Sequence, residues 1–250
     1  MSLALETVAL CKSFGALAAT REVSLRVARG ARHALIGPNG AGKTTLINLL
    51  TGVLRPDAGR VLLGGTDITE LAPHTRARRG MTRTFQINQL FAGLTPLESV
   101  ALAIFERHRF GRHWWRPLAS HTAVMDEAAA LLQRFGLANA AHTPVATLPY
   151  GRQRLLEIAV AIAGQPHVLL LDEPAAGVPE DERHEILSIV KGLPGDVAVL
   201  LIEHDMDLVF SFARRISVLV DGSLLVEGAP DEVAGDPRVR AAYLGEAPLG

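Results

Sequence analysis

Apolar and polar positions alternate along this chain in two rhythms, one typical of strands and one typical of helices. Residues 3–35 hold short Val-, Leu- and Ala-rich runs broken by turn residues, which predicts a β-rich stretch ending in the buried strand Ala34-Leu35-Ile36. Residues 45–50 then have the apolar spacing of a helix. The order strand, loop, helix is therefore predicted around residues 37–44.

The remaining pattern predicts an α/β protein with a helical middle. Strand signals fade from about residue 87 to 150, so we expect a helical insertion there. Buried strands or hairpins are predicted at 61–68, 168–171, 197–202 and 216–226. Helices are predicted at 96–107, 122–137, 181–191, 206–214 and 237–244.

Two segments are rich in basic side chains. Residues 74–85 contain four arginines and are expected to form a solvated helix face leading into Thr84-Phe85-Gln86. Residues 105–117 combine arginines and histidines with Trp114 and Trp115, and the histidine spacing matches no zinc signature. This second segment is either a contact surface for a partner or a partly packed loop.

Composition and charge exclude few classes of protein. The chain has 250 residues, of which 48% are hydrophobic and 20% charged, and its formal net charge is −1, which gives no reason to expect nucleic acid as a partner. Its single cysteine, Cys11, excludes an intrachain disulfide and is expected to be a small buried residue in a reducing compartment. The N-terminus does not resemble a leader, and no apolar run approaches the ~18 residues needed to span a bilayer. We expect a cytoplasmic protein that reaches a membrane only through a partner.

The most specific chemical signal is Gly37-Pro38-Asn39-Gly40-Ala41-Gly42-Lys43-Thr44-Thr45. It fits G-x-x-x-x-G-K-[ST], in which consecutive backbone N–H groups wrap a nucleotide's phosphates, the lysine reaches the β- and γ-phosphates, and the first hydroxyl ligates Mg²⁺. A chance glycine-rich turn is the alternative, but the predicted strand and helix on either side favour the phosphate loop. The predicted nucleotide-binding residues are Asn39, Gly40, Ala41, Gly42, Lys43, Thr44 and Thr45.

Two carboxylates follow the buried strand 168–171 directly. Asp172 is a candidate partner of Thr44 at Mg²⁺, because a hard cation prefers oxygen ligands. Glu173 would lie nearer the γ-phosphate and could act as the general base for an attacking water. The alternative is a pair of surface carboxylates after a strand, which the phosphate loop upstream disfavours.

Three further residues are ambiguous on sequence alone. Phe14, near a turn, is either a core residue, which the residue type favours, or an aromatic that stacks on adenine. His204 follows the strand 197–202 and is either structural or a donor to the γ-phosphate. The Gln86 amide could contact Mg²⁺ or the attacking water, but the residue alone decides nothing.

The ordered set of motifs resembles the nucleotide-binding subunit of an ABC (ATP-binding cassette) transporter over nearly the whole chain. The branched-chain amino-acid importer subfamily is the nearest resemblance, through Arg83-Thr84-Phe85-Gln86, a variant signature, and a tail ending Tyr243-Leu244-Gly245-Glu246. The matching segments are Gly37–Thr45, Thr84–Gln86, Leu148–Arg154, Asp172–Pro174, Ala175–Gly177 and Glu203–Asp205.

The resemblance implies a fold and a division of the chain. The fold would be an α/β P-loop NTPase, with a RecA-like core and an antiparallel β subdomain, carrying an inserted helical subdomain. Residues 1–250 would form a single ABC ATPase domain, with the core at 1–86 and 156–250 and the helical subdomain at about 87–155.

The resemblance also implies roles and partners. Phe14 would stack on adenine, Gln86 would sense Mg²⁺ and the transporter interface, and His204 would be the switch histidine. The catalytic residues would then be Glu173, His204, Lys43 and Gln86. The metal-binding residues would be Thr44, Asp172 and Gln86. Two subunits would form a head-to-tail dimer in which Gly151 meets the other subunit's ATP. Residues 87–120 would receive the coupling helices of a membrane permease, which holds the subunit at the inner face of the membrane. An external solute-binding protein would act with the permease, and these two would set solute selectivity.

The chain departs from the family pattern at two places. The usual signature is Leu-Ser-Gly-Gly-Gln, but here Pro149 replaces the serine and Tyr150 the first glycine, and proline offers neither a hydroxyl nor an amide donor. Pro179 stands where a polar residue usually crosses the dimer. These departures suggest a paralogous subunit with a standard signature as the partner, the alternative being a homodimer.

The function predicted from the sequence is ATP hydrolysis that drives uptake of branched-chain or other amino acids through a permease. Within transport, the alternatives are import of urea, an amide or another small polar solute, and lipopolysaccharide-type export. A non-transport ABC ATPase would usually carry a coiled-coil insertion or a second cassette, neither of which this chain shows. A phosphate-loop kinase or GTPase would lack the combination of Gln86, the signature and His204.

Overall fold

The computed structural model describes residues 2–84, 90–108 and 121–244. Within these ranges the chain forms two sheets and a set of helices. The chain divides into two compact units, one containing residues 1–83, 167–173 and 193–250 and the other containing residues 84–166 and 174–192. None of the described helices is both long and apolar enough to cross a bilayer.

The first unit contains both sheets. One is antiparallel, with strand order β2-β1-β5-β6 and β3 also paired to β1. Its strands are β1 (Leu3–Phe14), β2 (Leu17–Val23), β3 (Arg26–Ala28), β5 (Ala58–Leu63) and β6 (Thr66–Asp67). The other sheet has the order β11-β10-β4-β9-β8-β7. Its strands are β4 (Arg32–Ile36), β7 (Met81–Thr84), β8 (Val168–Asp172), β9 (Ala198–Ile202), β10 (Arg215–Val220) and β11 (Ser223–Gly228).

The parallel strands β10, β4, β9 and β8 form the centre of the second sheet. Every residue of β4, β8 and β9 is buried. The apolar runs at 34–36, 168–171 and 198–202 predict this for strands covered on both faces, whereas the burial of Arg32 and His33 at the start of β4 was not predicted. Helix α1 (Lys43–Thr51) buries Leu46, Ile47, Leu49 and Leu50 in a core shared with residues of both sheets. The phosphate loop is therefore held between a buried strand and a buried helix.

Short helices complete the first unit. They are α2 (Pro73–Arg78), α7 (Met206–Phe212), α8 (Pro230–Gly235) and α9 (Pro237–Leu244). Asp205 caps α7 by accepting hydrogen bonds from the backbone N–H groups of Asp207 and Leu208. Helix α8 lies between the predicted hairpin 216–226 and the predicted helix 237–244, where no helix was predicted, and Pro230 at its first turn is the start signal that the sequence contained.

The second unit is helical where it is described, and it contains α3 (Pro96–Arg107), α4 (Thr122–Arg134), α5 (Tyr150–Ala163) and α6 (Glu180–Lys191). Thr95 and Glu98 form a capping box at the start of α3, as the sequence Thr-Pro-x-Glu indicates. Helix α4 ends three residues before the predicted boundary, since Gly136 adopts a left-handed conformation (φ 66°) just after it.

Arg76 and Cys11 do not have the environments expected for them. Arg76 was expected on a solvated face but is 1% exposed, and its guanidinium donates to the backbone oxygens of Leu49 and Leu50 at the C-terminus of α1, at 2.7 and 2.6 Å. It also donates to backbone oxygens of the chain that precedes it. These carbonyl partners offset the burial of the charge, and the cation complements the negative end of the helix. Cys11 is partly rather than fully buried on β1.

Candidate nucleotide-binding and hydrolytic site

The phosphate loop connects the end of β4 to the start of α1, as the sequence predicts. Gly37 and Gly42 have φ angles of 155° and 100°. A Cβ atom would overlap the carbonyl oxygen of Leu219 at the first position and that of Ala19 at the second. Only glycine allows the loop to pass this close to neighbouring backbone, and the N-terminus of α1 that follows is the kind of site at which backbone N–H groups bind an anion.

Lys43 is the first residue of α1, and its ammonium group folds back over the loop. Its Nζ atom donates to the backbone oxygens of Gly37 at 2.5 Å and Pro38 at 2.8 Å. These bonds hold a positive charge above the loop, where a phosphate would lie. Thr44 follows on the same helix turn, so the expected lysine and hydroxyl start from adjacent positions.

Asp172 lies at the carboxyl end of β8 with 3% of its surface exposed. Its Oδ2 atom accepts a hydrogen bond of 2.7 Å from Nη2 of Arg83. The described residues contain no cluster of three or more His, Cys, Asp or Glu side chains able to hold a metal. One carboxylate and one hydroxyl are nevertheless a fitting donor set for Mg²⁺, which takes few protein ligands when phosphate oxygens and waters supply the rest.

Glu173 and His204 come together beside this aspartate. The backbone N–H of Glu173 donates to the carbonyl of Ile202 at 2.9 Å, which extends the pairing of β8 with β9 by one residue. His204 Nδ1 then lies 3.8 Å from Glu173 Oε1 and 3.7 Å from Glu203 Oε2. Glu173 has a φ of 47°, which is unusual for a residue with a side chain and is a form of backbone strain found at functional sites.

Phe14 ends β1 at the tip of the β1-β2 hairpin. Its side chain is 48% exposed, so the interpretation as a core residue is wrong. The Lys12 ammonium lies 5.9 Å from its ring centroid and pairs with Asp57 at 2.7 Å. The ring is thus exposed to solvent on a hairpin that the Lys12–Asp57 ion pair holds in place, as a stacking surface for a base requires.

The variant signature begins α5 in the helical unit, with Pro149 as its N-cap. Gly151 is buried, and a Cβ there would overlap the Glu182 carboxylate of α6. The Tyr150 ring lies against Gly177, where a Cβ would be 3.2 Å from Cε1, and Arg154 lies 5.4 Å from the ring centroid. Tyr150 thus takes the space that a glycine in the usual signature would leave open.

Gln86 belongs to residues 85–89, and Trp114 and Trp115 belong to residues 109–120, all outside the described residues. The expectations placed on them stay predictions.

Sequence reasoning missed three side chains that shape the site. Arg83 and the buried Glu203 contact expected functional residues directly, and Arg76 caps the helix that carries Lys43 and Thr44. Glu203 could have been found from its position. It directly follows a buried strand, much as Asp172 ends one, and it directly precedes the candidate residue His204. The two arginines had no local signal, since their partners lie far away in the sequence.

Comparison with known proteins agrees with this geometry. The family model described as ABC transporter matches residues 20–176, and the model described as branched-chain amino acid ATP-binding cassette transporter matches residues 223–248. The chain is 39% identical to the high-affinity branched-chain amino acid transport ATP-binding protein BraF of Pseudomonas aeruginosa, over 97% of this chain and 98% of that protein. It is 38% identical to LivG of Escherichia coli K12, a protein with the same description, over 95% and 96% of the two chains.

Solved structures give the same answer. A nucleotide-free ATP-binding cassette from an ABC transporter superposes with a TM-score of 0.85 at 31% identity, covering 98% of this chain and 100% of the other. The ADP conformation of such a cassette gives 0.85 at 32% identity, with the same coverage. The predicted fold class, a P-loop NTPase cassette, is confirmed. The chain belongs to the ABC transporter family, as one of its ATP-binding cassettes.

Proposed function

We propose that this chain hydrolyses ATP as the cytoplasmic subunit of an importer for branched-chain or other amino acids. The observation that carries the proposal is the 3.8 Å distance between His204 Nδ1 and Glu173 Oε1, with Glu173 directly after the buried Asp172, in a chain with a complete phosphate loop. The similarity to two branched-chain amino acid transport ATP-binding proteins supports the amino-acid class of solute.

ATP is bound by the loop and by Phe14. Backbone N–H groups of the loop and the Lys43 ammonium hold the phosphates, and the exposed Phe14 ring stacks on the base. The full set of loop residues is Asn39, Gly40, Ala41, Gly42, Lys43, Thr44 and Thr45. Thr44, Asp172 and Gln86 would hold Mg²⁺, which would neutralise negative charge on the phosphates.

Glu173 and His204 carry the hydrolytic step. Glu173 accepts a proton from the attacking water, and the hydrogen bond from its backbone N–H to Ile202 fixes the backbone that carries this half-buried carboxylate. His204 is 68% exposed, so its ring can reach the γ-phosphate oxygen that gains charge. Gln86 would sense both Mg²⁺ and the interface with the transporter, as the resemblance implies.

A second subunit supplies the other half of each ATP site. This chain offers Gly151 and the N-terminus of the 14-residue helix α5 to the partner's nucleotide, but Pro149 contributes no amide donor. The favoured partner is therefore a paralogue with a standard signature, which gives two unequal ATP sites. The ATPase rate per site of this chain alone, compared with an equimolar mixture with that paralogue, tests this. Equal rates would exclude it and leave a homodimer.

The permease is proposed to dock on residues 87–120, in the helical subdomain at about 87–155. Where this region is described, Phe91 and Leu102 are 71% and 42% exposed and line one apolar groove with residues 92–94. Exposed apolar surface of this kind marks contact sites for other proteins or membranes. Docking there would hold the subunit at the inner face of the membrane.

The decisive experiment is reconstitution of the chain with its permease and external binding protein in vesicles. ATP-dependent uptake of leucine, absent with Glu173→Gln, is the expected result. Uptake of urea or an amide instead would replace the solute class while keeping the transport function. A chain that stays in the soluble fraction whether or not the permease is present would favour a non-transport ABC ATPase.

A further inference from the structure

Arg83 joins two elements that carry the expected metal ligands. Its Nη2 atom donates to Oδ2 of Asp172 at 2.7 Å, and its Nη1 atom donates to Oδ1 of Asn48 at 2.7 Å. The Arg83 side chain is 11% exposed and that of Asp172 4% exposed. This is a shielded, charge-assisted contact, and such bonds are roughly twice as strong as neutral ones.

Asn48 is the residue through which Arg83 contacts α1. It lies four residues after Thr44 on α1, one helical turn along the same face. One guanidinium therefore spans from the helix that carries the Thr44 hydroxyl to the strand end that carries the Asp172 carboxylate. The planar fork of arginine can reach both acceptors at once, whereas the single ammonium of lysine cannot do so with the same geometry.

We propose that Arg83 is a positioning residue for the Mg²⁺–nucleotide complex, which orients Asp172 and fixes its spacing from α1. The inference rests on the proposed function, since it concerns the same site. Arg83 engages Oδ2 and so sets the direction of the other carboxylate oxygen. Without the guanidinium, the buried carboxylate would turn toward water and would have to be brought back before it could bind the metal or a metal-bound water.

The position of Arg83 in the chain adds to this role. The chain passes from the first unit into the second at two places, after Arg83 and after Glu173. Of the two, Arg83 precedes the segment that contains Gln86. The residue that orients Asp172 is thus covalently next to the segment expected to sense the transporter.

The test measures the affinity for a fluorescent ADP analogue in excess Mg²⁺ and again in EDTA. The ratio of the two affinities, the Mg²⁺ enhancement, is compared among wild type, Arg83→Met, Arg83→Lys, Asn48→Ala and the exposed control Arg79→Met. Loss of a residue that orients a metal ligand typically costs 10–100-fold in metal affinity, so Arg83→Met should reduce the enhancement at least about tenfold. Arg83→Lys and Asn48→Ala should each reduce it by a smaller factor, and the affinity in EDTA should change less than about twofold.

Several results would overturn the inference. An equal loss of affinity with and without Mg²⁺ would mean that Arg83 is merely structural, and a rise in the enhancement would mean that its charge only repels the metal. If Arg83→Met fails to fold in a thermal melt, the other two variants decide the matter, and wild-type enhancement in both rejects the proposal. A wild-type chain that binds no nucleotide would overturn the proposed function as well, which separates the two failures.

Discussion

His204 and Glu173 approach each other because they follow adjacent parallel strands whose pairing continues to the backbone of Glu173. The Nδ1–Oε1 distance is 3.8 Å, and the hydrogen bond from Glu173 N–H to Ile202 holds the two strand ends together. Glu173 is proposed to accept a proton, whereas Lys43 on α1 is proposed to bind the phosphates, so hydrolysis and binding can be tested independently.

Glu173→Gln should retain nucleotide binding and lose ATP turnover by about 10²-fold or more, because positioned general bases contribute roughly 10²–10⁴-fold. The amide keeps the shape of the side chain but cannot accept the proton. Steady-state phosphate release and nucleotide affinity should be measured together. Glu70→Gln, whose side chain is 73% exposed, is the control, and unchanged turnover in Glu173→Gln would remove the base assignment.

Lys43→Ala should have the opposite signature. Loss of one charge-assisted hydrogen bond to phosphate costs roughly 1.5–3 kcal/mol, so ATP affinity should fall at least about tenfold. Equilibrium binding checks this, with Lys191→Ala at the end of α6 as the matched control. Wild-type affinity in the Lys43 variant would show that the ammonium does not reach the nucleotide.

Arg76→Met should destabilise the fold by about 3 kcal/mol, since it leaves several buried carbonyls without a donor and removes the cation at the end of α1. Denaturant unfolding of the variant measures the loss. The neighbouring Arg79 is exposed, and Arg79→Met should lie within about 0.5 kcal/mol of wild type. Equal stability of the two variants would contradict the capping role.

His33 should make stability depend on pH. Its Nε2 atom is 2.8 Å from Ser217 Oγ, whose hydroxyl donates to Glu227, so His33 donates to the serine as a neutral ring. Burial lowers the pKa of His33 to about 4 from 6.5, although Glu227 opposes the shift. The unfolded chain therefore binds a proton that the folded chain refuses, and stability present above pH 6.5 is lost as the pH falls toward 4.

The pH effect can be isolated with His33→Gln, which keeps a donor for Ser217 but does not titrate. Between pH 7 and pH 5, wild type should lose about 2 kcal/mol more unfolding free energy than the variant. Denaturant melts at the two pH values provide the comparison. Parallel losses in the two proteins would show that His33 is not the group responsible.

Local patterns predicted the phosphate loop and the Asp172-Glu173 pair, because glycine spacing and buried strands act over a few residues. The same logic failed for Arg83, whose partner Asp172 is 89 positions away. It also failed for Arg76. Several arginines close together indicate a solvent-exposed surface, unless the fold brings unpaired backbone carbonyls to one of them. For Phe14 the residue type alone favoured the core, and only the family resemblance indicated a ring available for stacking. Aromatic side chains are usually buried, and only the tertiary position of the hairpin leaves this one exposed.

The left-handed backbone of Glu173 has a consequence for how this protein can change. That conformation is roughly 1–2 kcal/mol less favourable for a residue with a side chain, whereas glycine adopts it with almost no strain. Glycine at position 173 would thus relax the backbone while deleting the carboxylate. A less strained backbone and the carboxylate proposed as the general base therefore exclude each other at this position, so a stabilising glycine substitution here is expected to abolish the proposed proton transfer.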